Sequence, residues 1–71
     1  MKFQLRGKTY VIKITIDEKP TSNYDRSVSI WHNKKLVSGY RIKSSDVKEM
    51  IISEAKESVI NYLDQQPFIV L

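Results

Sequence analysis

Four stretches in the first 43 residues place apolar side chains at every second position, and that spacing constrains the fold more than any other feature. Residues 2–6 carry Phe3 and Leu5 on one parity, and residues 9–16 carry Tyr10, Ile12, Ile14 and Ile16. Alternation with a period of two is the pattern of a strand with one buried face. Gly7-Lys8 between them suits a two-residue type II′ turn, which places glycine first. That turn sets Arg6 opposite Thr9, Leu5 opposite Tyr10, Gln4 opposite Val11 and Phe3 opposite Ile12, with Lys2 across from Lys13. All apolar side chains of the hairpin then fall on one face.

Residues 17–26 are polar, contain Pro20 and Asn23, and read as a loop. Residues 27–32 alternate again, with Val28 and Ile30 inward and Ser29 and Trp31 outward. Residues 36–43 place Leu36, Ser38, Tyr40 and Ile42 inward and Val37, Gly39, Arg41 and Lys43 outward. Matching those faces needs an odd loop, Asn33-Lys34-Lys35, because a two-residue turn would pair Ile30 with Val37 and mix them.

Beyond Ser44 the period changes. Ser44-Ser45-Asp46 opens a helix, and Asp46 with Glu49 fits a capping box whose carboxylates suit the positive end of the helix dipole. The helix is expected over residues 46–65, since the residue before Pro67 disfavours helical backbone. Val47, Ile51, Ile52, Ala55, Val59, Tyr62 and Leu63 share one arc, opposite Glu49, Glu54, Glu57 and Asp64.

The expected fold is α+β, a single domain over residues 1–71. A four-stranded antiparallel sheet of two hairpins is followed by one long C-terminal helix packed on one face. The apolar tail Phe68-Ile69-Val70-Leu71 reads as a short fifth strand or a plug in the core, with docking onto a partner subunit as the alternative. A chain of 71 residues buries a limited core. With Met50 and Ile60 off the helix stripe, a homodimer is expected.

Catalytic and metal constellations find little support in the residue types. There is no cysteine, and His32 is the one histidine, so no thiolate or paired imidazole is available for a metal. His32 is read as a structural residue at the inner end of its strand. The eight serines include none in a G-x-S-x-G elbow, and glycine-rich phosphate loops are missing. Asp17-Glu18 lies in a loop, where solvent keeps both carboxylates ionised. The chain is therefore expected to be neither an enzyme nor a cofactor binder. No apolar run approaches a membrane span, and the N-terminus lacks a signal-peptide core, so a cytoplasmic location without membrane partners is expected.

Charge is unevenly distributed. Residues 1–43 hold ten of the twelve Lys and Arg against Asp17, Glu18 and Asp25, while residues 44–71 hold two against five acids. On the outer face of the sheet this places Lys2, Arg6, Lys13, Arg41 and Lys43 around Trp31, with no acid among them. Three readings compete for that face. It is an ordinary solvated sheet face, or it binds a polyanion, or it is a protein contact. As a polyanion site it suits single-stranded nucleic acid, with Trp31 stacking a base and Lys2, Arg6, Lys13, Arg41 and Lys43 meeting phosphates. As a protein contact it would use Val11, Trp31 and Val37 as an apolar centre. Tyr10, Tyr40 and Tyr62 read as core, Tyr24 as a loop residue near Arg26 that either contributes to binding or covers an edge of the core, and Lys34 and Lys35 as solvated turn residues.

The order of elements, four strands and then a long helix, is similar to that of small dimeric single-stranded-DNA-binding transcriptional coactivators. The likeness lies in element order, without a shared motif, and the tail after Pro67 departs from it. It implies a dimer that holds unpaired DNA.

Overall fold

A computed structural model describes residues 1–65. The four alternating stretches form β1 (Lys2–Leu5), β2 (Lys8–Ile16), β3 (Arg26–His32) and β4 (Lys35–Ile42), and the segment of helical period forms α1 (Lys48–Asp64). The strands make one antiparallel meander in the order β1-β2-β3-β4. Helix α1 lies on one face, packed against β4 and β1, as the periodicities imply. The tail from Phe68 to Leu71 lies outside the described residues.

The first hairpin corrects the expected turn. Arg6 and Gly7 occupy it, with φ of 51° and 77°, so both central residues are left-handed as a type I′ turn requires. Leu5 faces Lys8, Gln4 faces Thr9, Phe3 faces Tyr10 and Lys2 faces Val11. Pairing has slid by two residues from the expected register. A shift of two leaves every side chain on its own face, so the apolar assignment survives while each partner changes. Left-handed backbone at Arg6 costs roughly 1–2 kcal/mol. The new register offsets this by stacking Phe3 on Tyr10, ring centroids 5.4 Å apart. It also removes the expected Lys2–Lys13 opposition, since Lys2 faces Val11.

The second hairpin turns in two residues, Asn33 and Lys34, both with positive φ. The extra residue that the faces demand sits in β4 as a bulge. Ile30 faces Ser38 while Trp31 faces Leu36, so Val37 has no opposite number. From Ile30 back to Arg26 the pairing is the expected one. Beyond the bulge Leu36 and Val37 exchange sides. Leu36 joins Trp31 on the outer face, 54% exposed, and Val37 packs against the core.

The core is Phe3, Tyr10, Ile12, Val28, Ile30 and Ile42 beneath Ile51, Ala55 and Val59 of α1. Those three helix residues recur every fourth position, and the small Ala55 lets the helix approach the sheet. The Tyr40 hydroxyl donates to the Ile51 carbonyl at 2.7 Å, and Ser38 and Ser58 bond through their hydroxyls. Burial, then the charges of Glu54 and Asp46, push the Tyr40 phenol up to about 12. The helix begins two residues later than expected and the capping box does not form. Val47 is the N-cap, without a side-chain bond, and it is exposed. The Asp46 carboxylate accepts instead from the Lys43 amide at 3.3 Å. Ile14 and Ile16 share the inner parity, yet both are exposed.

Candidate functional site

The outer face is best followed in rows across the strands. Lys2, Val11, Trp31 and Leu36 form one row; Lys13, Ser29 and Gly39 form the next; Thr15, Ser27 and Arg41 the third. Gly39 keeps the middle row flat, since a Cβ there would meet the Val28 carbonyl oxygen at 3.1 Å.

Trp31 is half-buried. Its Nε1–H donates to the Ser29 hydroxyl at 2.9 Å, which orients the indole, and the Ser29 hydroxyl donates to the Lys13 carbonyl. The Lys13 ammonium lies 4.9 Å from the ring centroid, a cation–π geometry. Val11, Lys13, Trp31 and Lys34 line a shallow hollow, and none of these residues is acidic. Lys34, which reads from sequence as a solvated turn residue, is a wall of it. The type I′ turn carries Lys34 there, and the only sequence signal for that turn is Asn33 at its first central position. Leu36 is the second residue that sequence reasoning misses, because the bulge that turns it outward leaves no trace in the alternation.

Three of the expected site residues, Lys2, Lys13 and Trp31, therefore come together, with Val11 between Lys2 and Trp31. Others do not join them. Arg6 sits in the turn rather than in the strand, 3.7 Å from the Asp64 carboxylate in an exposed pair that is worth little. Arg41 is on the outer face, but its Nε–H donates to Asp17 at 2.5 Å and its Nη2–H to the Lys19 carbonyl at 2.8 Å. The Arg41 guanidinium lies 5.5 Å from the Tyr24 ring centroid. The expected acid-free face is thus acid-free only around Trp31, because Asp17 neutralises its far end. Lys43 lies just past β4 and acts on the Asp25 carboxylate. Val37 is withdrawn into the core side by the bulge.

The acids at that far end are held ionised by hydrogen bonds. The Lys19 amide, then Arg41, hold the Asp17 carboxyl below its ordinary 3.8. The Ser44 hydroxyl and amide, then the charges of Arg26 and Lys43, do the same for Asp25. Ser44 donates to Asp25 from its amide at 2.6 Å and from its hydroxyl at 2.9 Å. These carboxylates are structural ties.

His32 is half-buried and its ring lies 5.2 Å from that of Tyr10. Its Nδ1–H donates to the Thr9 carbonyl at 3.1 Å, since a carbonyl can only accept. The contact leaves the imidazole fastened between strands, in the structural role its parity implies. Among the described residues no three His, Asp or Glu side chains gather as a metal site, and no helix is long and apolar enough to cross a membrane.

The arrangement offers a flat aromatic ring, cations around it, and an apolar row through it. Set against family models, curated proteins and solved structures, the chain matches none.

Proposed function

We propose that the chain is a non-enzymatic binding module whose outer sheet face takes up single-stranded nucleic acid at Trp31. The observation that carries this reading is the pair of lysines, Lys13 and Lys34, lining the hollow of one half-exposed indole, with Lys2 at the end of the same row beyond Val11 and no carboxylate in the hollow's lining. An entering base displaces the Lys13 ammonium from the ring. That gives up a surface cation–π contact of about 0.5–1 kcal/mol. It gains base stacking of roughly 1–3 kcal/mol and frees Lys13 to meet a phosphate, so the exchange is favourable. Duplex is a poor fit, because the helix is acidic along its exposed side and no element carries the lysines into a groove. The reading includes a homodimer in the cytoplasm, where a cysteine-free chain has nothing to lose to a reducing environment.

Trp31 is the only tryptophan, so its fluorescence reports the contact directly. Titration with an unstructured labelled oligonucleotide is expected to quench it. The logarithm of affinity should fall linearly with the logarithm of salt, with a slope of about −2 for three phosphates on single strands. Lys13→Glu should weaken binding at least tenfold, and Trp31→Ala by roughly the 1–3 kcal/mol of one stacked base. Arg41→Ala should matter far less. Absence of quenching and of binding at low salt would refute the proposal.

A protein partner is the second reading, favoured by one observation. The bulge sets Leu36 beside Trp31 and Val11, making an exposed apolar row rimmed by lysines. Leu36→Ser separates the two, since it removes that row's apolar edge, adds no charge and leaves the three lysines in place.

A further inference from the structure

Backbone parity in β2 shows where its hydrogen-bonding groups go. The Ile12 amide donates to the Met1 carbonyl at 2.8 Å, whereas the Asp17 amide donates to the Asp25 carbonyl at 3.1 Å. Even-numbered residues of this strand therefore face the β1 side and odd-numbered residues face β3. Pairing with β1 covers residues 8–11 of β2, and the Met1 contact ends at Ile12. Past that point the N–H and C=O of Ile14 and Ile16 face a side that no described strand occupies. Their side chains stand on the inner face, 37% and 74% exposed, beside Met1 at 42%. This half-edge lacks an internal proline, a bulge or an inward-pointing charge, the usual protections of an open edge.

We propose that a second copy of the chain occupies this half-edge, the two β2 strands pairing antiparallel over residues 13–17 around a two-fold axis at Thr15. A two-fold contact must be self-complementary, and this register is. Ile14 faces the partner's Ile16, both presenting an N–H and C=O that no described residue takes, so the two symmetric pairs close four backbone hydrogen bonds. Lys13 faces the partner's Asp17 on the outer side, which sets opposite charges across the strands. Neighbouring registers fail. Placing Ile14 opposite the partner's Ile14 sets Ile16 against the partner's Ile12, whose amide is already bonded to Met1. Placing Ile16 opposite the partner's Ile16 sets Ile14 against the partner's Glu18. The edge is also clear of the chain's own loop, because the Lys19 carbonyl is drawn to Arg41 of β4, away from β1. The result is one continuous outer face carrying two Trp31 hollows. This inference rests on the reading of the chain as a homodimer.

Five-residue half-edges bury little area, so a weak, reversible dimer is expected. Sedimentation equilibrium of the full chain over a concentration series, with amide exchange by NMR, tests it. Ile16→Pro removes an N–H that faces the open side and spares the β3 ladder, and Ile16→Lys adds an edge charge at an exposed position. Both should raise the dimer dissociation constant at least tenfold without unfolding the protein. Exchange at the Ile14 and Ile16 amides should slow as protein concentration rises. A monomer at every concentration would overturn both the edge and the dimer. A dimer unchanged in both variants would overturn the edge while leaving the dimer reading in place. Amides at Ile14 and Ile16 that are protected at every dilution would assign the edge to some other segment in place of a second copy.

Discussion

Lys34 holds φ at 65° in a turn position that ordinarily belongs to glycine, and its side chain walls the Trp31 hollow. Left-handed backbone at a residue with a Cβ costs roughly 1–2 kcal/mol, so this lysine is carried against its own conformational preference. Lys34→Gly is therefore expected to raise unfolding stability by about 1 kcal/mol in urea denaturation. The same change should lower oligonucleotide affinity severalfold. Gain in both would show that Lys34 has no part in binding. Trp31 itself was legible as outward-facing, because a side chain's parity depends only on its neighbours along one strand. Its companions were not. Whether Arg41 is free or neutralised depends on Asp17, which lies 24 positions away in sequence, and alternation carries no information over such a separation.

Among the elements, both hairpins show the same limit of legibility. Face assignment survived at Phe3, Tyr10, Ile12, Val28 and Ile30, since a slide of two residues preserves it. Turn type did not, because Arg6-Gly7 and Gly7-Lys8 are both acceptable two-residue turns locally. The register that forms is the one that packs Phe3 on Tyr10. The helix start is a milder case. Asp46 and Glu49 have the spacing of a capping box, but the Lys43 amide takes the Asp46 carboxylate first. That leaves Val47 as an N-cap with extended backbone and no side-chain acceptor. Val47→Ser is expected to stabilise the protein by about 1 kcal/mol, read as a shifted urea midpoint with an unchanged slope. A loss of stability would mean that Val47 packs in a way its exposure does not reveal.

At the scale of the whole molecule, stability should fall at both acid and alkaline pH, for different reasons. Asp17 and Asp25 have folded values below their ordinary 3.8. Their contribution is complete above that value in the unfolded chain and is lost as pH falls through the lowered folded values. Acid should thus release the 17–25 loop and the connection at Ser44 together, and Asp25→Asn should blunt the acid limb of a thermal-unfolding profile. Tyr40 has the opposite dependence. The unfolded phenol ionises near 10.0 and the folded one at about 12, so stability is complete below 10.0 and declines as pH rises between them. Tyr40→Phe should remove that alkaline decline while costing about 1 kcal/mol at neutral pH for the lost bond to Ile51.

Amino-acid order alone determined the number and type of elements, the buried face of the first three strands and the acidic side of the helix. These follow from periodicities of two and 3.6, which are properties of neighbours along the chain. Tertiary structure decided the registers, the bulge that trades Val37 for Leu36, and the neutralisation of Arg41. It also decided that β2 runs on past β1, with Ile14 and Ile16 exposed. Each of these is a competition between local turns of similar energy, and contacts between residues distant in sequence choose the winner.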